Sequence, residues 1–377
     1  IFCTLPREKE KEELKEKERE QQRRQARQQI VEHSRKSLVA TIFDVRWVPQ
    51  SASYVAIGQY PNSQGALCHF QLEKGEIVTL REMRKPTALK CCTFGHSSAE
   101  GRQLATGDFA GNVDLWDVER GMEAPVASFK RAHDTIINGI DGALYGGPPE
   151  IATCSRDGAV KVWDARQPAK PVVALQPVDQ SKARDCWTVR LGNSCSEDDR
   201  VLCAGYDNGD VKLFDLKTQK MLHEFNVSNG VCDLCFDRPD IEMNKLIVSS
   251  LEGRVRVYDL RTLNPEVGFA YVEDRVSTGT VWVSKPLPQN RDIFMSGGAG
   301  ELTLSRYVYP PERSLKDPTT GVARGVAGTI DEINKARVGD QPINAMDWHP
   351  QREGLLVTAA LDQTMRVMVV TKMSALS

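Results

Sequence analysis

Apolar and polar residues alternate along the chain in many short runs separated by turn-forming residues. Residues 160–163, for example, place apolar side chains at alternate positions shortly after Asp157-Gly158. Such alternation predicts a β-strand with one buried face. An Asp-Gly pair supplies the positive φ angles of a tight turn, so this pattern predicts antiparallel strands joined by hairpins.

One phrase, a glycine turn and an alternating run that ends in an aromatic residue and aspartate, returns along the chain. Its clear repeats are residues 111–117, 158–164, 209–215 and 253–259. Weaker repeats are residues 65–70, 300–304 and 363–368. Most neighbouring repeats are spaced by about 40 to 50 residues, the period of a propeller blade. Because seven radially packed sheets bury the faces that one sheet leaves exposed, the sequence predicts an all-β, seven-bladed β-propeller over residues 29–377.

The two ends of the propeller are predicted to meet in one blade. The last repeat runs over Thr364–Val370, and the sequence ends soon afterwards, so the last blade lacks its outer strand. Residues 29–34 precede the first blade and can supply that strand. This pairing would remove an open sheet edge that otherwise invites aggregation.

Residues 1–28 differ from the rest of the chain. Their charged part contains acid-first i,i+4 pairs, Glu13 with Lys17 and Glu20 with Arg24, which stabilise a helix. The apolar positions that a coiled coil needs are missing. We therefore expect a charged, helical N-terminal extension, which is either without specific function or a lever or docking arm.

Composition narrows the class of function. The formal net charge is −2, so the basic excess of a nucleic-acid-binding protein is absent. No apolar run approaches the roughly 20 residues of a membrane helix. The ten cysteines stand mostly inside apolar runs, as buried free thiols do in a reducing compartment. We expect a cytoplasmic protein that binds neither nucleic acid nor membrane.

The repeated phrase and its spacing resemble the WD40 family over roughly residues 28–377. In that family, the fullest blades carry a His, a Ser or Thr, an Asp and a Trp at set positions. The matching residues here are His133, Thr153 or Ser155, Asp157 and Trp163. The resemblance implies that they form a buried, hydrogen-bonded chain that holds the third blade together, since the set lacks an oxyanion site for hydrolysis.

No motif predicts catalysis, a cofactor or a metal. Cys232 and Cys235 resemble half of a zinc site, but no second pair accompanies them, and side chains three apart on a strand face opposite ways. The glycine-rich residues 297–300 read as a hairpin turn without a following helix to receive phosphate. We therefore predict a protein that is not an enzyme.

The family resemblance implies that loops on one face of the propeller bind proteins. Aligning the repeats puts Phe109, Arg156, Tyr206 and Leu251 in the turns of that face. Arg184, Asp185 and Trp187 join them at the fourth blade. Aromatic and arginine side chains are enriched at the hot spots of protein interfaces. The alternative that Phe109 and Tyr206 only cover their turns stays open. Between Tyr309 and Pro342, the longest connection is predicted to be a functional or mobile loop.

Two further motifs resemble a box found in substrate receptors of cullin–RING ubiquitin ligases. They are residues 163–166 and 258–261, which end in Arg166 and Arg261. In such receptors the arginine contacts the ligase adaptor. The commoner alternative is an arginine that pairs with a nearby carboxylate.

Longer stretches resemble the Monad-type WD40 proteins, a group of dynein axonemal assembly factors. The stretches are residues 43–49, 104–112, 150–167, 184–189, 204–216, 229–246 and 287–294. The resemblance implies a non-enzymatic, monomeric co-chaperone adaptor for cytoplasmic preassembly of dynein arms, with a possible further location in the cilium or flagellum. Its implied partners are a RuvB-like ATPase, a prefoldin-like co-chaperone complex and axonemal dynein heavy chains. Ser305 departs from the pattern, replacing an aromatic residue, and predicts a looser sixth blade.

Overall fold

The alternating runs form antiparallel strands throughout the propeller. The computed structural model describes residues 28–144, 149–196, 198–238, 240–264, 267–316 and 323–376. Within this part of the chain, seven sheets of four strands and one two-stranded hairpin are formed. The helical extension predicted for residues 1–28 lies outside the described residues, except for Gln28. The observed architecture is the predicted all-β, seven-bladed propeller.

The first strand belongs to the last blade, and the next three blades follow in chain order. The strands are β1 (Ile30–Ser37); β2 (Thr41–Trp47), β3 (Ser53–Gln59), β4 (Gly65–Glu73) and β5 (Glu76–Lys85) in blade 1; β6 (Leu89–Thr93), β7 (Gln103–Asp108), β8 (Val113–Asp117) and β9 (Ala127–Phe129) in blade 2; and β10 (Ile137–Ala143), β11 (Glu150–Ser155), β12 (Val160–Asp164) and β13 (Val173–Leu175) in blade 3.

The remaining four blades complete the ring. Their strands are β14 (Cys186–Gly192), β15 (Val201–Tyr206), β16 (Asp210–Asp215) and β17 (Lys220–Asn226) in blade 4; β18 (Val231–Phe236), β19 (Lys245–Ser250), β20 (Arg254–Asn264) and β21 (Gly268–Arg275) in blade 5; β22 (Val283–Leu287), β23 (Asn290–Gly297), β24 (Glu301–Val308) and β27 (Thr329–Arg337) in blade 6; and β28 (Ile343–Trp348), β29 (Leu355–Ala360) and β30 (Thr364–Val370) with β1 in blade 7. Two short 3-10 helices span Gln180–Lys182 and Met373–Leu376.

The hydrophobic core lies between the blades. Seven clusters of buried residues occur in the described part of the chain, and each draws its residues from two neighbouring blades. One of them packs Trp47 and Tyr54 of blade 1 against Val357 of blade 7. Burying one such side chain contributes about 1.5–3 kcal/mol, so each blade is stabilised chiefly by its neighbours.

Strand β1 joins the N-terminal part of the propeller to its C-terminal part. It pairs antiparallel with β30, with Ile30 opposite Val370 and Ser37 opposite Thr364. Arg366 of β30 also forms an ion pair with Glu32 of β1 at 3.3 Å. The fourth strand of blade 7 therefore comes from the other end of the chain, and the ring is closed by hydrogen bonds and charge.

The sequence predicted a single loop between Tyr309 and Pro342, but the structure has three strands in this connection. Its last part forms β27, the outer strand of blade 6, which pairs with the whole length of β24. Before it, strands β25 (Ser314–Lys316) and β26 (Ala323–Gly325) form the two-stranded hairpin. The prediction missed β27 because its sequence, TIDEINKAR, has few apolar residues.

Ser305 occupies a fully buried position on β24, opposite Phe294 on β23. Its hydroxyl has no hydrogen-bond partner within the described residues. An unsatisfied buried hydroxyl destabilises the folded state, so we expect Ser305→Ala to raise the free energy of unfolding by up to about 1 kcal/mol. Urea denaturation measures this change. The control is Ser296→Ala, which removes a hydroxyl bonded to Ser284 at 2.9 Å and should be destabilising.

Candidate docking surface

The third blade contains a continuous chain of buried hydrogen bonds. His133 Nδ1 lies 3.1 Å from Asp157 Oδ2, and its Nε2 lies 2.8 Å from Thr153 Oγ1. Trp163 Nε1–H donates to the same hydroxyl oxygen at 3.0 Å. Of the two hydroxyls that the sequence offered, Thr153 therefore takes part in the chain. Ser155 instead accepts a bond from the backbone N–H of Asp157.

This chain holds the blade together and has no access to a substrate. His133 and Thr153 are buried, so no reacting carbonyl can reach the hydroxyl. Burial acts to raise the pKa of Asp157, but the hydrogen bond and charge of His133 lower it to about 2. The resulting stabilisation is present above about pH 4 and is lost as the pH falls through about 2, because the folded carboxyl then protonates.

One face of the disc, called the top face here, is built from two kinds of loop. In five blades, a residue in the turn between the second and third strands donates its N–H to a carbonyl that precedes the first strand. The pairs are Phe109 with Ala88, Arg156 with Ile136, Asp207 with Asp185, Leu251 with Gly230, and Leu361 with Pro342, at 2.9–3.2 Å. Three of the predicted turn residues, Phe109, Arg156 and Leu251, therefore lie on the same face as the fourth-blade loop.

The structure brings together part of the predicted docking set. Arg156 forms an exposed ion pair with Asp185, with Nε 3.4 Å from Oδ2. Arg184, next to that carboxylate, is exposed and has no ion-pair partner among the described residues. Phe109 is partly buried, and its ring centroid lies 5.7 Å from that of Phe43. Ion pairs as exposed as this contribute little to stability, so Arg156 remains available to a partner.

The assignment of Tyr206 to the exposed turn is wrong. Tyr206 is only 8% exposed, and it packs in the core between blades 3 and 4. It is the last residue of β15 and pairs with Cys186, so it corresponds to Ser155 and not to Arg156. The turn position of the fourth blade belongs to Asp207, one residue later.

The two arginines that follow aspartate in the ligase-like boxes pair with carboxylates of their own chain. Arg166 makes two side-chain hydrogen bonds to Asp164, at 3.0 and 2.7 Å. Arg261 lies 3.2 Å from Glu242. Arg166 follows β12 and Arg261 lies in the last part of β20, so both stand at the end of a third strand opposite the top-face turns. This is the intrachain pairing that the sequence left open as the commoner alternative.

A cavity of about 340 Å3 opens at the centre of the ring, lined by the first strands of all seven blades. In six blades a β-bulge turns one residue at the start of this strand out of register, and Trp282 holds the same place in the sixth blade. We call this ring of seven residues the channel mouth; its members are Phe43, Lys90, Asn138, Trp187, Cys232, Trp282 and Asn344.

Below the channel mouth, the charges are closed into ion pairs. Asp44 lies 3.3 Å from Arg46 and also accepts the N–H groups of Val45 and Cys92. Asp233 lies 2.7 Å from Arg190 and 3.0 Å from Lys285. Because these carboxylates already have cationic and backbone partners, the channel offers little to an incoming cation.

The pKa values in the channel follow from burial and from these partners. Burial raises the pKa of Asp347 to about 6. Burial alone would also raise the pKa of Asp233, but the charges of Lys285 and Arg190 hold it below its usual value. Burial further raises the pKa of the Cys91 and Cys92 thiols well above the ordinary value. These thiols therefore stay protonated and unreactive.

Sequence reasoning found Trp187 but missed Phe43 and Trp282. Trp282 is 37% exposed, which is a large fraction for a tryptophan in a folded protein. All three stand at the same place in their repeats, at the start of the first strand, so comparing this column between blades could have found them. What the repeats do not show is the bulge that directs Phe43 and Trp187 into the channel.

The features tested for other chemistry do not assemble into a site. Cys232 lies at the channel mouth, while Cys235 lies deeper and donates to the backbone oxygen of Ser284 at 2.9 Å. Across the described residues, no group of three or more His, Cys, Asp or Glu side chains could hold a metal. None of the helices in this same part of the chain is long and apolar enough to cross a membrane.

The blades, the buried chain in the third blade and the top-face turns define a WD40-repeat β-propeller. The family model for the WD domain, G-beta repeat, matches residues 124–164. This range includes all four residues of the buried hydrogen-bond chain. The chain is also 48% identical over 353 residues to dynein axonemal assembly factor 10 of Xenopus laevis, covering 92% of this chain and 98% of the relative.

Similar relatives occur in distant organisms. Dynein axonemal assembly factor 10 of Homo sapiens is 47% identical over 351 residues, and that of Chlamydomonas reinhardtii is 47% identical over 352 residues. In both cases the match covers 92% of this chain and 98% of the relative. The chain belongs to the dynein axonemal assembly factor 10 family.

Proposed function

We propose that this protein is a non-enzymatic scaffold that takes part in the assembly of axonemal dyneins. The names of its relatives support a role in dynein assembly, and the propeller fold supports action as a scaffold. The single observation that carries the mode of action is the top face, where exposed arginine and aromatic side chains surround a channel whose carboxylates Asp44 and Asp233 are already paired. Such a surface recognises proteins and offers no reacting group.

In this proposal the protein works as a cytoplasmic co-chaperone adaptor. Its partners are a RuvB-like ATPase with a prefoldin-like complex, and its clients are axonemal dynein heavy chains. A rigid disc that holds a client beside a chaperone raises their effective local concentration without any turnover of its own. The stretches that resemble assembly factors, together with the 92% coverage by the relatives, support this assignment.

The test is affinity purification of the full chain from the cytoplasm of ciliated cells, followed by mass spectrometry. Dynein heavy chains together with RuvB-like ATPases would support the adaptor role. A cullin with its adaptor protein would favour the alternative, a substrate receptor of a ubiquitin ligase. Absence of all dynein chains and co-chaperones from the purified material would contradict the proposal.

The arginines of the top face give a direct prediction for partner capture. Reversing both charges in Arg156→Glu/Arg184→Glu should weaken capture by roughly tenfold, because charges at the rim of an interface steer and orient the partner. Thermal stability should change little, since substitutions on an exposed surface usually alter it by less than about 0.5 kcal/mol each. Quantitative pull-down and a melting curve measure the two effects.

The matched control for this experiment is Arg166→Glu/Arg261→Glu. These arginines are also exposed and paired with carboxylates, but they lie at the far ends of third strands, away from the top-face turns. If only the control loses co-purified partners, the docking surface lies at the ligase-like boxes. Unchanged capture by Arg156→Glu/Arg184→Glu removes these arginines from the docking surface.

A further inference from the structure

The channel mouth is the place where the fold directs seven side chains towards one opening. Each comes from the start of a first strand, and bulges set six of them out of the regular alternation of the sheet. β-Bulges often re-aim side chains next to functional sites. The repeated bulge therefore makes a ring of side chains that contributes little to the cores between blades.

Aromatic side chains form much of this ring. Trp187 and Trp282 stand in blades 4 and 6, and both line the cavity. On the far side of the ring, Phe43 lies beside Phe109 of the top-face turns, with 5.7 Å between ring centroids. Large, partly exposed aromatic side chains at the rim of a pocket are the type that anchors apolar residues of a bound peptide.

Lys90 supplies the charge at the channel mouth. Its ammonium lies 4.8 Å above the ring of Phe43, and no carboxylate among the described residues forms an ion pair with it. The ring of seven contains no acidic side chain. Lys90 is partly buried, and this burial lowers the pKa of its ammonium group, although the negative charge of Asp44 acts in the opposite direction. An arriving carboxylate would restore the lost stabilisation of that charge.

Charged side chains around and below the channel mouth also favour an acidic ligand. Arg184 lies in the loop that precedes Trp187. It is exposed, and it has no ion-pair partner among the described residues. Deeper in the channel, Asp44 and Asp233 are held by arginine, lysine and backbone N–H groups, so they compete weakly for a basic side chain. A carboxylate gains Lys90 and Arg184, whereas a cation finds no unpaired acid in the ring.

We propose that the channel mouth binds an acidic peptide segment of a partner protein, in which carboxylate side chains alternate with apolar ones. The carboxylates contact Lys90 and Arg184, and the apolar side chains pack against Phe43, Trp187 and Trp282. The inference deepens the proposed scaffold function and rests on it only in that a scaffold needs a docking site.

The test uses the full chain and a fluorescein-labelled peptide of twelve residues in which Glu alternates with Leu and Phe. Fluorescence anisotropy compares it with two peptides of the same order, one with Gln and one with Lys in place of Glu. We expect the acidic peptide to bind at least about tenfold more tightly than the Gln peptide. Its affinity should fall as NaCl is raised, because salt screens the charges.

Variants locate the binding. Lys90→Glu and Trp282→Ala should each weaken binding of the acidic peptide by about tenfold or more, whereas Lys90→Arg should retain it. The control is Lys220→Glu, which reverses an exposed lysine at the start of β17, on the outer rim of blade 4. Melting curves for each variant show whether the fold is intact, and Lys90→Arg keeps the test informative if Lys90→Glu is unstable.

The results that overturn the inference are distinct. Equal binding of the acidic and Gln peptides, tighter binding of the Lys peptide, or no binding of the acidic peptide at millimolar concentration each refutes an acidic partner. Unchanged binding by folded Lys90→Glu moves the site away from the channel mouth. If folded Lys90→Glu and Trp282→Ala lose the peptide yet still co-purify dynein chains, the mouth is not the site for those partners, but the scaffold role stands. If the peptide binds while the wild-type chain captures no assembly partner, the scaffold role in dynein assembly fails alone.

Discussion

The Trp163→Ala variant should lose about 3–5 kcal/mol of unfolding free energy. Trp163 is 4% exposed and lies in the core between blades 2 and 3. Its ring stacks on that of Phe129, with 5.5 Å between centroids, and its Nε1–H donates to Thr153. Removing the indole leaves a cavity between two blades and also takes one member from the buried hydrogen-bond chain.

Two further variants separate these causes. Trp163→Phe keeps an aromatic ring but loses the N–H group, and it should lose roughly the 1 kcal/mol of one hydrogen bond in addition to a smaller packing term. Trp282→Ala removes a tryptophan that is 37% exposed, so it should change stability much less. Urea denaturation followed by circular dichroism measures all three. A loss for Trp163→Ala no larger than that for Trp282→Ala would show that the third blade is not held by its tryptophan.

The propeller could be predicted from the sequence because its determinants are local. Gly158 and Gly209 adopt φ angles of 78° and 89°, which a residue with a side chain rarely adopts, and each stands in the turn where its repeat predicted a hairpin. The alternation in β12 and β16 likewise follows directly from the order of residues. Strand β27 escaped prediction because it is exposed and polar and owes its place to pairing with β24.

The candidate docking surface was predictable only in part, because it depends on register. Arg156 and Phe109 could be placed by counting from the turn glycine, whereas Tyr206 was placed one residue away from the equivalent position, Asp207. A shift of one residue moves a strand side chain to the other face of its sheet. The side chain of Tyr206 accordingly packs in the core between blades 3 and 4. The channel mouth depends on bulges, and no local signal in the sequence marks them.

A second large effect is expected at Lys245, on β19. Its side chain is 1% exposed, which is rare for lysine and requires full compensation of the charge. Its Nζ lies 2.7 Å from Asp292 and 3.4 Å from Asp237, and it donates to the hydroxyl of Tyr309. Tyr309 directly follows β24, so this group of side chains fastens the connection after that strand to blade 5.

Lys245→Met should therefore lower the free energy of unfolding by about 3–5 kcal/mol, because removing one partner leaves buried charge without compensation. Asp237 has a fully buried side chain and would lose one of its two cationic partners, keeping Arg291 at 2.6 Å and the N–H of Asn244 at 3.0 Å. The matched control, Lys220→Met, removes an exposed lysine and should change stability by less than about 0.5 kcal/mol. Urea denaturation measures both variants. If Lys245→Met were as stable as Lys220→Met, desolvation of the lysine would already cancel its attraction to Asp237 and Asp292, and Lys245 would not fasten the connection after β24 to blade 5.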